Sequence, residues 1–434
     1  MNDSDETDTD HVVTAFLRRR GKALLLCRSD TVDTHRGMWG GVSGFPEGDP
    51  DEQVVAEIRD ETGLEETDVS FVRAGRPVEV ADEDTAREWV VHPFLFDCDD
   101  PDIELSEEHD EYAWLPATTI LEAVGEDLET VPTLWTAYER VAPTVRSITA
   151  DDEHGAATLS IRALEVLRDR AGVLVAERDE FGVDPEGERD ELAELAGRLL
   201  EARPAMAVLR NRVNRVMAEA DLDDGASAVL ESTLEGIDRA LAADDEAAAT
   251  ASEVIDGTVL TLSRSSTVGD TLRQGDPSRV FVAESRPARE GVDVAEELAA
   301  DLECPVTVHT DAAVAHVLER EAVDRVLVGA DTIRPDGAVV NKTGTRAAAL
   351  AASHEAVPVT VVAATDKVST REEHNLESGD RAAVYDGDTA LDVLNPTFDV
   401  TPPAVVDAVA AERGLLEDDG IEDVVAELRD LESW

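Results

Sequence analysis

Near the start of the chain two apolar runs, 11–16 (HVVTAF) and 23–27 (ALLLC), flank the turn-like Arg20-Gly21-Lys22 and predict a pair of strands. Residues 39–48 are glycine-rich and read as a loop. Over 50–62, Val54, Val55 and Ile58 supply helical apolar spacing, and Gly63 closes the segment. Residues 69–73 and 88–96 read as strands, and 114–125 and 130–141 as helices. These elements predict an α+β domain over 11–146, behind a polar tail at 1–10 that frays.

The pattern changes twice more. An acidic, polar stretch at 147–155 (SITADDEHG) marks a boundary. From there to about 255, Ala, Leu, Glu and Arg recur at helical spacing, which predicts a helical subdomain over 147–255. Then short apolar runs return at 258–261, 279–283, 305–309, 325–328 and 357–363, with helical stretches between most of them. Strands alternating with helices predict a doubly wound parallel sheet over 256–420, so the chain is α/β overall. Residues 421–434 read as an acidic helix or tail. Sheets of this kind take ligands at the carboxyl ends of their strands.

Charge adds a second layer. Ninety-eight acidic residues face 38 basic ones, a formal charge of −60 spread over the whole length. Such a surface repels itself in dilute buffer and is screened by salt, as expected of a cytoplasmic protein adapted to high salt. It disfavours broad nucleic-acid or anionic-membrane binding. Cys27, Cys98 and Cys304 are too few and too scattered for a disulfide framework or a metal knuckle. The acidic N-terminus is unlike a signal peptide, and no run approaches the ~20 apolar residues that span a bilayer. The expected location is the cytoplasm.

Within the 50–62 helix, Glu57, Asp60 and Glu61 stand at i, i+3 and i+4, so three carboxylates are predicted on one face. In so acidic a chain this is either a solvated face or a site for a hard cation such as Mg²⁺ or Mn²⁺. The surrounding residues bear on that choice. Glu57-Ile58-Arg59-Asp60-Glu61-Thr62-Gly63-Leu64 resembles the end of the Nudix box. Residues 39–49 (WGGVSGFPEGD), with Gly44 among them, resemble the loop that enters it, and 108–114 (EHDEYAW) a later Nudix segment. The resemblance implies a Nudix fold and metal-dependent hydrolysis of a nucleoside diphosphate linked to a group X. Glu57, Asp60 and Glu61 would be the metal-binding and catalytic residues. Three departures stand out: Ala56 replaces the family's arginine, Asp60 a usual glutamate, and the stretch from Gly44 to Leu64 is shorter.

The C-terminal loops carry further chemistry. Residues 260–267 (LTLSRSST) follow a strand and open a helix, where Arg264, Ser265 and free helix N–H groups would suit a phosphate. Arg286 lies after the next strand, Asp331 ends another, and Asn341-Lys342 follows. The chain holds only three lysines, and Lys342 and Lys367 both fall in or near these loops. The ordered set SRSST, ESRP, VGAD, NKTGT and NPTFDVTPP resembles the alpha, beta and delta subunits of translation initiation factor 2B. It also resembles ribose-1,5-bisphosphate and methylthioribose-1-phosphate isomerases. This implies a Rossmann-like domain behind a helical one, and a homodimer or larger homo-oligomer. It also implies a nucleotide or phosphorylated sugar as ligand, with a translation initiation GTPase as a conceivable partner. The implied ligand contacts are Arg264, Ser265, Arg286, Asn341 and Lys342, with Asp331 on ribose hydroxyls or as a strand-end cap. Ser263 stands where the isomerases carry cysteine, which points to binding rather than isomerisation. The leading expectation is a Nudix hydrolase fused to a phosphosugar- or nucleotide-binding domain. A non-catalytic translation regulator or nucleotide sensor and a sugar-phosphate isomerase stay open as alternatives.

Overall fold

The computed structural model describes residues 10–32, 34–45, 48–82, 87–99, 101–121, 128–151, 154–373 and 376–434. The chain divides into two units, Met1–Ala150 with Ile161–Leu195 and Ala220–Leu234, and Asp151–Ser160 with Ala196–Glu219 and Glu235–Trp434. Except for Asp10, the expected polar tail lies outside the described residues.

In the first unit the strands are β1 (Asp10–Arg19), β2 (Lys22–Arg28), β3 (Trp39–Gly40) and β4 (Val42–Gly44), followed by helix α1 (Pro50–Thr62). Then come β5 (Val69–Ala74), β6 (Val78–Asp82), β7 (Arg87–Cys98), β8 (His109–Leu115), α2 (Leu134–Glu139) and α3 (Val145–Ala150). They form one sheet in the order β3-β2-β1-β7-β5, with β4 added to β1, β6 to β7 and β8 to β2. β1 and β7 run parallel, with Val13 opposite His92. Alternation along β1 puts Val13, Ala15 and Leu17 on the face that meets Val54 and Ile58 of α1. Phe16, with Leu25 and Leu95, faces Leu134, Ala137 and Tyr138 on the other side.

Local signals fix α1. Asp49 caps it by accepting from the Asp51 N–H at 3.1 Å, Pro50 opens it, and Gly63 ends it in the left-handed region at φ +73°. The sequence expected a helix through 114–125, and that differs. Trp114 lies in β8, drawn there by pairing with Leu24, and only Ala117–Ile120 form a short 3-10 turn. Residues 122–127 lie outside the described set. The helix expected over 130–141 is confined to α2. The loop expected over 39–48 contains the two short strands β3 and β4.

The stretch expected to be helical is so: α4 (Ala156–Phe181), α5 (Pro185–Ala202), α6 (Ala207–Glu219) and α7 (Ala226–Ser252). β9 (Asp256–Leu262), α8 (Ser266–Gln274), β10 (Asp276–Ala283), α9 (Glu290–Asp301), β11 (Val306–His309), α10 (Val314–Arg320) and β12 (Arg325–Gly329) follow. The chain continues through β13 (Thr332–Ile333), β14 (Val339–Lys342), α11 (Thr345–His354), β15 (Val359–Val362), β16 (Phe398–Thr401), β17 (Ala408–Ala411), β18 (Gly414–Leu416) and α12 (Asp418–Asp430).

The main sheet of the second unit runs β11-β10-β9-β12-β15-β17-β18, parallel except for the final β17–β18 pair. One face carries α10, α11 and α12 over Leu260, Val326 and Val361. The other carries α8, α9 and the end of α7 over Val259, Val282 and Leu327. Both faces are covered, which explains why these strands read as continuous apolar runs rather than alternating ones. A small antiparallel sheet, β13-β14-β16, stands beside it and carries the Asn341-Lys342 loop. Strand order reverses between β9 and β12, which makes the carboxyl ends of those two strands the switch point where such sheets admit ligands.

Candidate functional sites

The first site is built on α1. Glu57 and Glu61 are one turn apart, and Glu61 is almost wholly buried. Burial, with Glu57 and Glu108 nearby, pushes the Glu61 carboxyl up to about 8, although it accepts a hydrogen bond from the Ser43 N–H at 3.2 Å. Glu57 is also raised, by burial first and then by Asp60 and Glu108, while Gln53 donates to it at 2.8 Å. Two carboxyl groups whose ionised forms are disfavoured therefore sit together against the loop of β4.

Gly44 makes this approach possible. A Cβ at Gly44 would overlap the Glu57 carboxylate. A Gly44→Ala variant should swing the end of a flexible side chain aside, with thermal stability little changed. Any chemistry that uses the Glu57–Glu61 pair should slow by roughly tenfold or more, as for residues that orient a site from one step behind. Parallel melting curves and rate measurements check this.

The sequence placed Glu57, Asp60 and Glu61 in one cluster. The structure gathers Glu57 and Glu61 but leaves Asp60 exposed and paired with Arg59 at 3.2 Å. Among the described residues no group of three or more His, Cys, Asp and Glu side chains is arranged to hold a metal. Sequence reasoning missed two neighbours as site residues. Glu108 adds a third negative field to the Glu57–Glu61 pair. His109 is buried with its Nε2 3.9 Å from Glu61 Oε2, too far for a hydrogen bond. Burial, aided by Arg28, pulls His109 down to about 4, so it stands neutral there. Both belong to the 108–114 segment, whose resemblance was the available signal.

The second site lies at the switch point. Ser263, just past β9, and Ser285, just past β10, both adopt left-handed backbone, at φ +64° and +59°. Such conformations are costly for residues with a Cβ and gather at functional loops. The two are locked together, since the Ser263 N–H donates to Ser285 Oγ at 2.7 Å. The Ser263 hydroxyl donates to Glu290, the first residue of α9. Glu290 also faces Lys342, 3.4 Å away. Gly291 allows α9 to start this close, because a Cβ there would strike the Ala283 carbonyl.

Asp331, past β12, is raised by burial first, with Lys367 and Lys342 pulling it down and Glu290 and Glu377 pushing it up. Asn341 is buried and donates to Thr345 Oγ1 at 2.9 Å, which anchors the Lys342 loop. Ser265 caps α8 by accepting from the Val268 N–H at 3.4 Å.

Of the expected ligand contacts, Asp331 and Lys342 come together in one charged cluster, and Asn341 supports it from behind. Arg264 is exposed on the loop before α8. Arg286 is exposed and paired with Glu284 at 3.3 Å. Glu290 and Lys367 were not assigned as site residues from the sequence. The presence of Lys367 among so few lysines was a usable signal, whereas Glu290 is lost among 98 acids.

Residues 152–418 match the Initiation factor 2 subunit family, and residues 8–134 match the NUDIX domain. The chain is 33% identical over 314 residues to a ribose 1,5-bisphosphate isomerase of Haloterrigena turkmenica, covering 66% of this chain and 93% of that protein. It is 34% identical over 313 residues to the protein of the same name from Haloferax volcanii, covering 67% and 94%. Among solved structures it is similar to the translation initiation factor eIF-2B of Pyrococcus horikoshii OT3. That match has a TM-score of 0.53 and 28% identity, over 63% of this chain and 94% of the other. No helix among the described residues is long and apolar enough to cross a membrane.

Proposed function

The chain belongs to the Initiation factor 2 subunit family and carries a NUDIX domain, and from that premise we propose a fusion of a hydrolase with a phosphosugar-binding module. The N-terminal unit hydrolyses a nucleoside diphosphate linked to a second group. The C-terminal unit binds a phosphorylated sugar or nucleotide and mediates self-assembly.

The observation that carries the hydrolase half is the pair Glu57 and Glu61. Burial raises both carboxyls, Glu61 to about 8, and neither meets an arginine or lysine at ion-pair distance among the described residues. Such a pair is costly alone and suits a hard divalent cation. Glu57 and Glu61 would hold Mg²⁺ or Mn²⁺, within the negative field of Glu108. When bound, the ion supplies charge neutralisation on the diphosphate and a more acidic water. In the reaction a water oxygen bonds to phosphorus and gives up a proton to solvent, the bridging P–O bond breaks, and the leaving phosphate keeps the electron pair. Gly44 and the Ser43 N–H fix where the two glutamates stand, and buried His109 keeps a neutral wall behind Glu61.

The binding half rests on the Asp331, Lys342, Lys367 and Glu290 cluster at the switch point. Lysines suit a phosphate, and Asp331 suits sugar hydroxyls. The Ser263 hydroxyl is committed to Glu290 and is far less acidic than a thiol, which favours binding without isomerisation. Purified protein in molar KCl with Mg²⁺ should release phosphate or mononucleotide from a panel of dinucleotides, ADP-ribose and nucleotide sugars. It should bind ribose 1,5-bisphosphate in calorimetry without converting it. An Asp331→Asn variant should lose that binding and melt higher, because an ionised Asp331 opposes its own burial once pH exceeds its raised value. Turnover of ribose 1,5-bisphosphate would reject the binding reading, and inertness to the whole panel would reject hydrolysis.

A further inference from the structure

Lys367 sits in a short 3-10 turn, Thr365–Lys367, just beyond the carboxyl end of β15. All three residues of the turn are buried. A buried ammonium on a flexible stem needs its backbone fixed if it is to keep one position. Helix α6 grips the turn through Asn211, Arg212 and Arg215, the last lying 3.4 Å from Asp366 Oδ1. The Asn211 side-chain amide donates to the Asp366 carbonyl at 2.8 Å and to the Val368 carbonyl at 2.7 Å. One NH₂ group thus uses both protons to straddle Lys367. Arg212, fully buried, donates through Nε to Asp366 Oδ2 at 3.2 Å.

Arg212 is itself held on its far side. It donates to Ser160 Oγ at 2.9 Å, to the Ala240 carbonyl at 3.2 Å and to Asp244 at 3.1 Å. Glu412 completes the frame by accepting from both the N–H and the hydroxyl of Thr365. Both protons of the Asn211 amide and the Nε–H of Arg212 are spent on this turn.

We propose that Asn211 and Arg212 are positioning residues for Lys367, so that helix α6 sets the affinity of the sugar-phosphate site at the ends of β9 and β12. The inference rests on the binding function proposed above and adds its control by a helix. Loosening the frame lets the Lys367 ammonium wander and weakens the hold on a phosphate.

The chain has three lysines, so lysine labelled with ¹³C at Cε gives three resolved environments, assigned by Lys→Arg substitution. In the absence of any ligand, Asn211→Ala should shift and broaden the Lys367 signal and leave that of Lys22 in place. The affinity for ribose 1,5-bisphosphate should fall roughly tenfold, as is usual when a supporting group is lost. In a Lys367→Met background the same change should have no further effect on affinity, as expected if the two residues act as one unit. Should Asn211→Ala fold poorly, Asn211→Ser keeps one donor and should move the signal in the same direction by less. An unmoved Lys367 signal in a folded variant, or a full tenfold loss that persists without Lys367, overturns the proposal. If the wild type takes up no ribose 1,5-bisphosphate, the proposed ligand class fails, and the Lys367 signal still decides the role of Asn211.

Discussion

Replacing Arg168 with methionine should lower the unfolding free energy of the protein by about 3–5 kcal/mol, the usual cost of leaving a buried charge without its partner. Arg168 is fully buried on α4 within the N-terminal unit. It donates to Asp169 at 2.8 Å through Nε, to the Gly21 carbonyl, and to the Tyr138 hydroxyl at 3.4 Å. Tyr138 in turn donates to Asp169 at 3.1 Å. Beside it, Arg18 bridges Asp97 at 2.7 Å and Glu165 at 3.4 Å, and Arg162 meets Asp97 at 2.7 Å.

The carboxyls of Glu165 and Asp169 are both raised, chiefly by burial, and Arg18 and Arg168 oppose that rise. Without Arg168 both should rise further. A carboxyl whose folded value is raised stabilises the protein below its ordinary range and loses that contribution as pH climbs through the raised value. The deficit of the variant should therefore shrink as pH is lowered from 8 towards 5. Adding Asp169→Leu should recover most of the loss. Urea unfolding in molar KCl at several pH values checks this. A pH-independent loss below 1 kcal/mol would mean the network is not compensated as described.

The second large effect is expected at Glu61. Glu61→Gln keeps the size of the side chain and can still accept from the Ser43 N–H, but it removes the anion. Hydrolysis should fall by more than about a hundredfold, beyond what is typical of residues one step behind a metal. Thermal stability should hold at acid pH, near the ordinary carboxylate value, and rise as pH climbs to about 8 and above, because a neutral amide is cheaper to bury than the carboxylate Glu61 then becomes. Loss of activity with a gain of stability is the signature of a functional charge held against its own preference. Unchanged turnover would exclude Glu61 from the reaction.

Much of the fold was legible because the signals were local. The Asp49-Pro50 start and Gly63 stop define α1 within a few residues of sequence, and the five apolar runs after residue 256 fall within or overlap β9, β10, β11, β12 and β15. What escaped depends on distant partners. Trp114 has good helical neighbours, yet pairing with β2 decides its conformation. β13, β14 and β16 are too short to show a period and exist only because they pair with one another.

The sites divide in the same way. The i, i+4 spacing puts Glu57 within electrostatic reach of Glu61. The i, i+3 spacing placed Asp60 with them, but Asp60 lies on the solvent side of α1 and pairs with Arg59. Glu290 and Asn211 act through residues far along the chain, and no spacing rule connects Ser263 to Glu290 or α6 to Lys367.

The account turns on whether the glutamates of α1 hold a divalent cation. Calorimetric titration of Mg²⁺ into the full-length protein in molar KCl should show one saturable site in the wild type. The same titration of a folded Glu57→Gln, Glu61→Gln variant should show only the heat of dilution. Identical isotherms for the two proteins would contradict the account.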